Sequence, residues 1–590
     1  MLSLVTMRRY FILALLLVVA GCDSGTSTNP PTTPTQRIYI DANLGNDLTG
    51  DGSTFSPYRT LAVLSTLSYN IPTIIYLKRG EVWHESLTIP ASNITLDAYG
   101  TGALPKIDGS RQVFNWAALG AGIYSTVVNL GAGEALGNLT ENGVMMSFVP
   151  WNTNIATTFT SAANGSFSFV YATNTLYIKT TNTPGFATYL ASVQLRGIYA
   201  QDRTDITIQN VDVARFSLHG IEFNHCVRCS VAGVTLEKIG GAVIGTNTSA
   251  PPDYLYAGNG IDYSNSSTNG QVNNVTVSDI FDSCLAVEVY ESNNTTASIT
   301  LENAQLARCG FAGVELSVLS NQGTNINSAI NNVTVKNVTV NNAGKGWSGR
   351  RYGTTGHGMR IVADQNAGSM SNISVQTSTV SGSAGDGIQI GGEVGLVDLH
   401  RINASLNAGR GINVLDATAT TLALKLSSSL IYNNTGNGVS YNAPAGAGLQ
   451  VYHNTFYNNG TINLAVYGQT NLADIRNNLF YSSAPMTHLY SAAALVNPVV
   501  DNNCYNDTTN MFGYNGTAYS SVAAFNTATG FESNGVGNGI VGLTNPASAI
   551  FTLQANSVCI GLGDSTDGVT EDYSGASFAT PPSSGAYEFK

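Results

Sequence analysis

Two short phrases alternate through the middle of the chain, and few folds accommodate both. One is an apolar-x-apolar triplet ahead of a polar turn, at Ile206/Ile208, Val275/Val277, Ile299/Leu301, Val333/Val335, Ile373/Val375, Val397/Leu399, Leu424/Leu426 and Leu449/Val451. The other places a glycine before an apolar residue, first at His219-Gly220-Ile221-Glu222 and then in copies ending at Asp262, Glu315, Arg360, Gln389, Asn413 and Ser440. Leu285-Ala286-Val287-Glu288 fits the second phrase if Ala stands for Gly. Many successive copies lie roughly 24–27 residues apart, a spacing typical of stacked repeats. Alternation over so few residues is strand periodicity, so each repeat holds at least two short strands. Such a repeat is one coil of a parallel β-helix, whose strands pair with their equivalents a coil further on, about 4.8 Å away.

Composition removes the competing solenoids. Only 11% of the 590 residues are charged, against about 25% in ordinary soluble proteins. A chain this poor in Lys, Glu and Arg, with 62 glycines, is a weak helix former. Leucine-rich repeats share the period but need a Leu/Asn consensus that is missing. The formal charge of −12 argues against a nucleic-acid partner, whose phosphates need cations. The expected class is all-β: one parallel β-helix acting as a monomer.

The N-terminus reads as an export signal. Arg8 and Arg9 precede an apolar run over 10–20, the length of a signal-peptide core and short for a membrane span. The run ends in Val19-Ala20-Gly21-Cys22, which resembles a bacterial lipobox. That resemblance implies removal of 1–21, lipidation of Cys22 and anchoring at the outer membrane or cell surface. Residues 22–36, rich in Ser, Thr and Pro, read as a flexible tether. Six cysteines remain. Cys226 and Cys229 beside His225 lack a second ligand pair at zinc spacing, so buried thiols or an occasional bridge are expected.

Residues 37–110 contain IYIDANLGNDLTGDGSTFSPYRTL, IIYLKRGEVWHESLTIP and ITLDAYGTGALPKIDGS. These resemble the N-terminal coils of right-handed β-helix carbohydrate-active enzymes, the pectate-lyase-like superfamily. The resemblance implies a capping helix over 61–69 and a β-rich insertion over 116–195. It also implies a polysaccharide as substrate, and a closing coil near the C-terminus. The expected layout is an N-terminal cap and first coils at 37–115, the insertion, main coils at 196–505, and C-terminal coils and cap at 506–590.

In the glycine phrase the last residue points outward, because side chains alternate faces along a strand. Stacked coils then place Glu222, Asp262, Glu288, Glu315 and Arg360 in one column. Like charges in register destabilise a sheet, so such a column calls for a cation, an Arg or a shared proton. Excess residues at 241–259, 317–330 and 341–357 would wall this column into a cleft. The third loop carries Lys345, Trp347, Arg350, Arg351 and Tyr352, a set suited to stacking sugars and gripping anionic groups. His219 and His357 occupy equivalent places before Gly, and His357 is a candidate for proton transfer.

Two enzyme classes fit. A glycoside hydrolase needs a pair of carboxyls, drawn from Asp262, Glu288 and Glu315, with Arg360 and His357 beside them. Glu222, His219 and the basic loop would bind substrate. Alternatively, a lyase acting on uronate polymers would use Asp262, Glu288 and Glu315 to hold calcium, the one cofactor considered. A non-catalytic adhesin is a third reading.

Overall fold

The computed structural model describes residues 34–149, 159–246, 254–319, 327–347, 356–364, 367–419, 421–468, 472–506, 511–537 and 539–590. Cys22 and most of the tether lie outside them. Parallel strands stack coil on coil into a right-handed β-helix. Some coils carry three strands, as at Arg196–Gln201, Thr204–Gln209 and Asp212–Ala214, whereas in others the last two run on as one long strand, as at Gln271–Ile280, Thr295–Ala307 and Ser328–Asn341. The first of each trio joins one long sheet, and the other two join a second.

The glycine phrase has a steric cause. A Cβ on Gly220 would lie 2.7 Å from the carbonyl oxygen of Gly260, and one on Gly387 2.5 Å from that of Gly411. At these glycines the neighbouring coil approaches too closely for a side chain. The same phrase occurs at Arg196-Gly197-Ile198-Tyr199, one coil earlier than the sequence reading began, and Tyr199 pairs in register with Glu222. Many other corners are turned by asparagines at positive φ, among them Asn303, Asn332, Asn337 and Asn372, the non-glycine residue that best tolerates this region.

Inward residues such as Ile221, Ile261, Leu285, Val314 and Met359 form one continuous apolar core. At the N-terminal end Leu61 and Leu64 plug it. They sit on or beside a single 3₁₀ turn, Ala62–Thr66, in place of the longer helix expected over 61–69. The helix Val522–Thr529, capped by Ser521, closes the other end, with Phe525 stacked on Phe512. Residues beyond it return along the outside, where Phe551 and Leu553 pack with Leu430, Tyr457 and Leu479. The insertion builds two small sheets, mostly antiparallel, with their own core. Disulfides join Cys284 to Cys309 and Cys504 to Cys559, while Cys226 and Cys229 are buried free thiols.

Buried asparagines form two internal ladders. In one, the side-chain oxygens of Asn454, Asn478 and Asn503 each accept the backbone N–H of the preceding coil, at 2.9–3.0 Å. Its last rung is Glu532, which accepts from Asn503 and from the Tyr505 hydroxyl. Burial pushes the Glu532 carboxyl up to about 7. A carboxyl raised on folding holds a proton that the unfolded chain releases, so stability is full at low pH and lost as pH rises through the folded value. For Glu532 the loss amounts to about 3 kcal/mol. Thermal stability should therefore fall between about pH 5 and pH 8, and Glu532→Gln should flatten that slope. An unchanged slope in calorimetry would count against this origin.

Candidate active site

Five neighbouring strands of the long sheet, His219–Asn224, Ile261–Ser264, Leu285–Val289, Ala312–Val318 and His357–Ala363, carry the expected residues. The register runs Glu222, Asp262, Ala286, Glu315, Arg360. Glu288 is therefore not in this column. It pairs with Ser264 and Ser317, two residues further along its strand. The displacement arises because Cys284, not Ala286, takes the glycine corner. The missing Cβ of Gly260 would lie 2.4 Å from the Cys284 carbonyl oxygen, and the Cys284 side chain leaves the corner by bonding to Cys309.

Glu288 still points into the same cleft, a cavity of about 510 Å³. Glu222, Asp262, Asp282, Glu288 and Glu315 line it, with Arg196 and Arg360 at its two ends and His219 and Asn259 beside Asp262. Its apolar walls come from Leu218, Phe311, Leu319 and the antiparallel strand pair Ala242–Thr246 and Tyr254–Ala257, which supplies Ile244 and Tyr256. Asp282, in the turn before Leu285, was not foreseen. It belongs to neither phrase, so no repeat signal marks it.

The carboxyls fall into two electrostatic groups. Glu222 accepts from the Arg196 guanidinium. Glu315 is held at 3.0 Å by Arg360 and accepts from the Ser283 and Ser317 hydroxyls at 2.6 and 2.5 Å. Asp262, Asp282 and Glu288 have no Lys or Arg within ion-pair distance among the described residues. Burial, then the charge of Glu222, drives Asp262 well above the ordinary carboxylate range. Burial and the charges of Asp262, Glu315 and Asp282 do the same to Glu288. Burial, then Glu315, pushes Asp282 up to about 8. Asp262 is 1% exposed, and its Oδ1 has no hydrogen-bond partner. Asn259 Nδ2 donates to Glu288 at 3.3 Å.

The histidines serve the coil stack. His219 Nδ1 accepts the backbone N–H of Asn259, and His357 Nδ1 that of Asp386, both at 3.2 Å. Burial lowers both imidazoles, consistent with a neutral ring accepting through Nδ1. His219 borders the cleft; His357 is not among the lining residues. Trp347 offers no stacking face to a sugar. It is buried among Phe148, Phe167, Tyr256 and Phe281 in the insertion's core, and its indole N–H donates to the Asp279 carbonyl. Lys345 is exposed and is not among the lining residues. Arg350, Arg351 and Tyr352 lie outside the described residues.

Among the described residues no three of His, Cys, Asp and Glu converge as a cation site. No step through calcium is derived.

No protein-family model matches the chain, and no curated protein matches it. Among solved structures it is similar to XylC in complex with xylose, at 10% identity over 94% of this chain and 98% of that one, with a TM-score of 0.50. It is also similar to a glycoside hydrolase (9% identity, 82% and 97% covered, TM-score 0.42) and to the pectate lyase Pel9A (13%, 95% and 97%, 0.33). At these identities the likeness is one of fold.

Proposed function

We propose that the chain is a polysaccharide-cleaving glycoside hydrolase, with Asp262 as general acid and Glu315 as general base. The observation that carries this reading is the cleft's division between a proton-holding carboxyl with a free oxygen and an ion-paired one two coils away. Two coil steps separate their backbones by about 9.6 Å, close to the spacing that leaves room for a water. Ala286, between them in register, presents only a methyl group. In the reaction the bond from the anomeric carbon to the glycosidic oxygen breaks, and that oxygen takes the Asp262 proton. Water attacks the opposite face of the ring and gives its proton to Glu315, so the anomeric centre inverts. Arg360, Ser283 and Ser317 fix the orientation of Glu315. The similar fold of XylC, solved with xylose, is compatible with a sugar ligand here. The chain is placed at the cell envelope by lipid on Cys22.

The test uses the full chain and its Cys22→Ser variant, which should leave the membrane fraction. Both are assayed on a panel of neutral and uronate polysaccharides by reducing ends, by ultraviolet absorbance of unsaturated products, and by the anomeric configuration of the first product. Release of reducing ends with inversion and without unsaturation is expected. Unsaturated products would replace the hydrolase with a lyase, and no cleavage of any glycan would leave a binding protein.

A further inference from the structure

The charge pattern of the cleft speaks to its substrate. Among the described residues its two guanidinium groups are both engaged. Arg196 donates to Glu222 and lies over the Tyr199 ring at 4.8 Å. Arg360 is paired with Glu315 and lies over Phe311 at 5.4 Å. Between them sit Asp262, Asp282 and Glu288 with no Lys or Arg partner. These acids face a wall that is largely apolar, in which Leu218, Ile244 and Phe311 suit the C–H face of a pyranose.

The cleft also continues at both ends. Arg196 is shared with a cavity of about 360 Å³ that includes Ser86, Thr88 and Gln194. Arg360 is shared with one of about 410 Å³ that includes Gln389. A sugar leaving the cleft in either direction passes an arginine already paired with a carboxylate, then meets Ser86, Thr88, Gln194 and Glu134 on one side, or Gln389 and Asp364 on the other.

We propose that the sugars bound on both sides of the cut are uncharged, and that Arg196 and Arg360 are counter-ions of the acid cluster instead of receptors for a substrate carboxylate. This rests on the hydrolase reading for the location of the cut, and it departs from the anionic sugar that the basic loop was expected to favour. A uronate carboxylate here would find both arginines of the cleft already paired and would have to displace Glu222 or Glu315 to reach one. Neutral hydroxyls meet no such competition: protonated acids can donate to them and the remaining oxygens accept. Proton-holding acids, as distinct from three free anions, also give a cationic amino sugar no special advantage.

Calorimetry on the Asp262→Asn protein separates binding from turnover. The probes are the tetramers of xylose, glucose, mannose and galactose, with tetragalacturonate and the glucosamine tetramer. At least one neutral tetramer should bind ten-fold or more tightly than tetragalacturonate. Adding Glu222→Gln frees Arg196 and should raise tetragalacturonate affinity about ten-fold, with little change for the neutral tetramer. Tetragalacturonate or the glucosamine tetramer binding best, or no neutral tetramer binding, overturns the inference. So does a Glu222→Gln change that leaves uronate affinity unaltered. Neutral binding without cleavage by the wild type would sink the hydrolase reading alone, whereas hydrolysis of a uronate polymer would sink this inference alone.

Discussion

Replacing Asp262 by Asn is expected to cut turnover by about 10²–10⁴, the contribution of a positioned general acid, while making the protein more stable. Both halves follow from the same geometry. The carboxyl is buried beside Glu222, Glu315 and Asp282, whose charges oppose its ionisation. Its Oδ1 has no partner to lose, so the amide removes a proton donor and a source of repulsion together. Stabilisation should be greatest above about pH 8, where the neighbouring Asp282 also ionises. Activity is traded against stability at such sites. Glu315→Gln should lose turnover on a similar scale, but without the gain in stability, because it breaks the pair with Arg360. Reducing-end assays and calorimetry across pH decide the matter. Full activity in either variant removes that residue from the mechanism. An Asp262→Asn protein less stable than wild type would mean that its carboxyl is a structural anchor.

The largest effect on folding is expected at Asn478, which is fully buried. Its side-chain oxygen accepts from the backbone and side chain of Asn454. Its amide donates to Asn503 and to the carbonyl oxygens of Val451 and Arg476. Asn478→Ala orphans the Asn454 backbone N–H and the Val451 carbonyl in a dry interior. At about 1–3 kcal/mol for each buried polar group left unsatisfied, the cost should be roughly 3–5 kcal/mol. Because a solenoid's coils need not unfold together, hydrogen exchange is the appropriate probe. Amides of the coils around 449–506 should lose protection first, and unchanged exchange there would show that the ladder carries no such load.

Much of this architecture was legible because its sequence signals have steric causes. The glycine phrase recurs in copy after copy because at those glycines the next coil leaves no room for a Cβ. The reading failed at Cys284, where that rule has an exception. A cysteine held in a bridge can occupy the corner, so the true equivalent of glycine went unrecognised and Glu288 was assigned two residues out of register. Asp282 was invisible because turns between strands carry no period. The ladders were present as Asn454, Asn478 and Asn503, spaced one coil apart. They were masked by the many other asparagines that turn corners. Trp347 was misjudged on composition: an aromatic beside arginines looks like a sugar platform until a second domain core is found around it.

That core has a further implication. It gathers residues of the insertion, Tyr256 of the strand Tyr254–Ala257, Phe281 next to Asp282, and Trp347, four stretches distant in the chain. Sequence drift in any of them is constrained by the others, so a new specificity could not be acquired one loop at a time. Anyone wishing to graft this cleft onto another β-helix would have to move all four pieces as a single inheritable block.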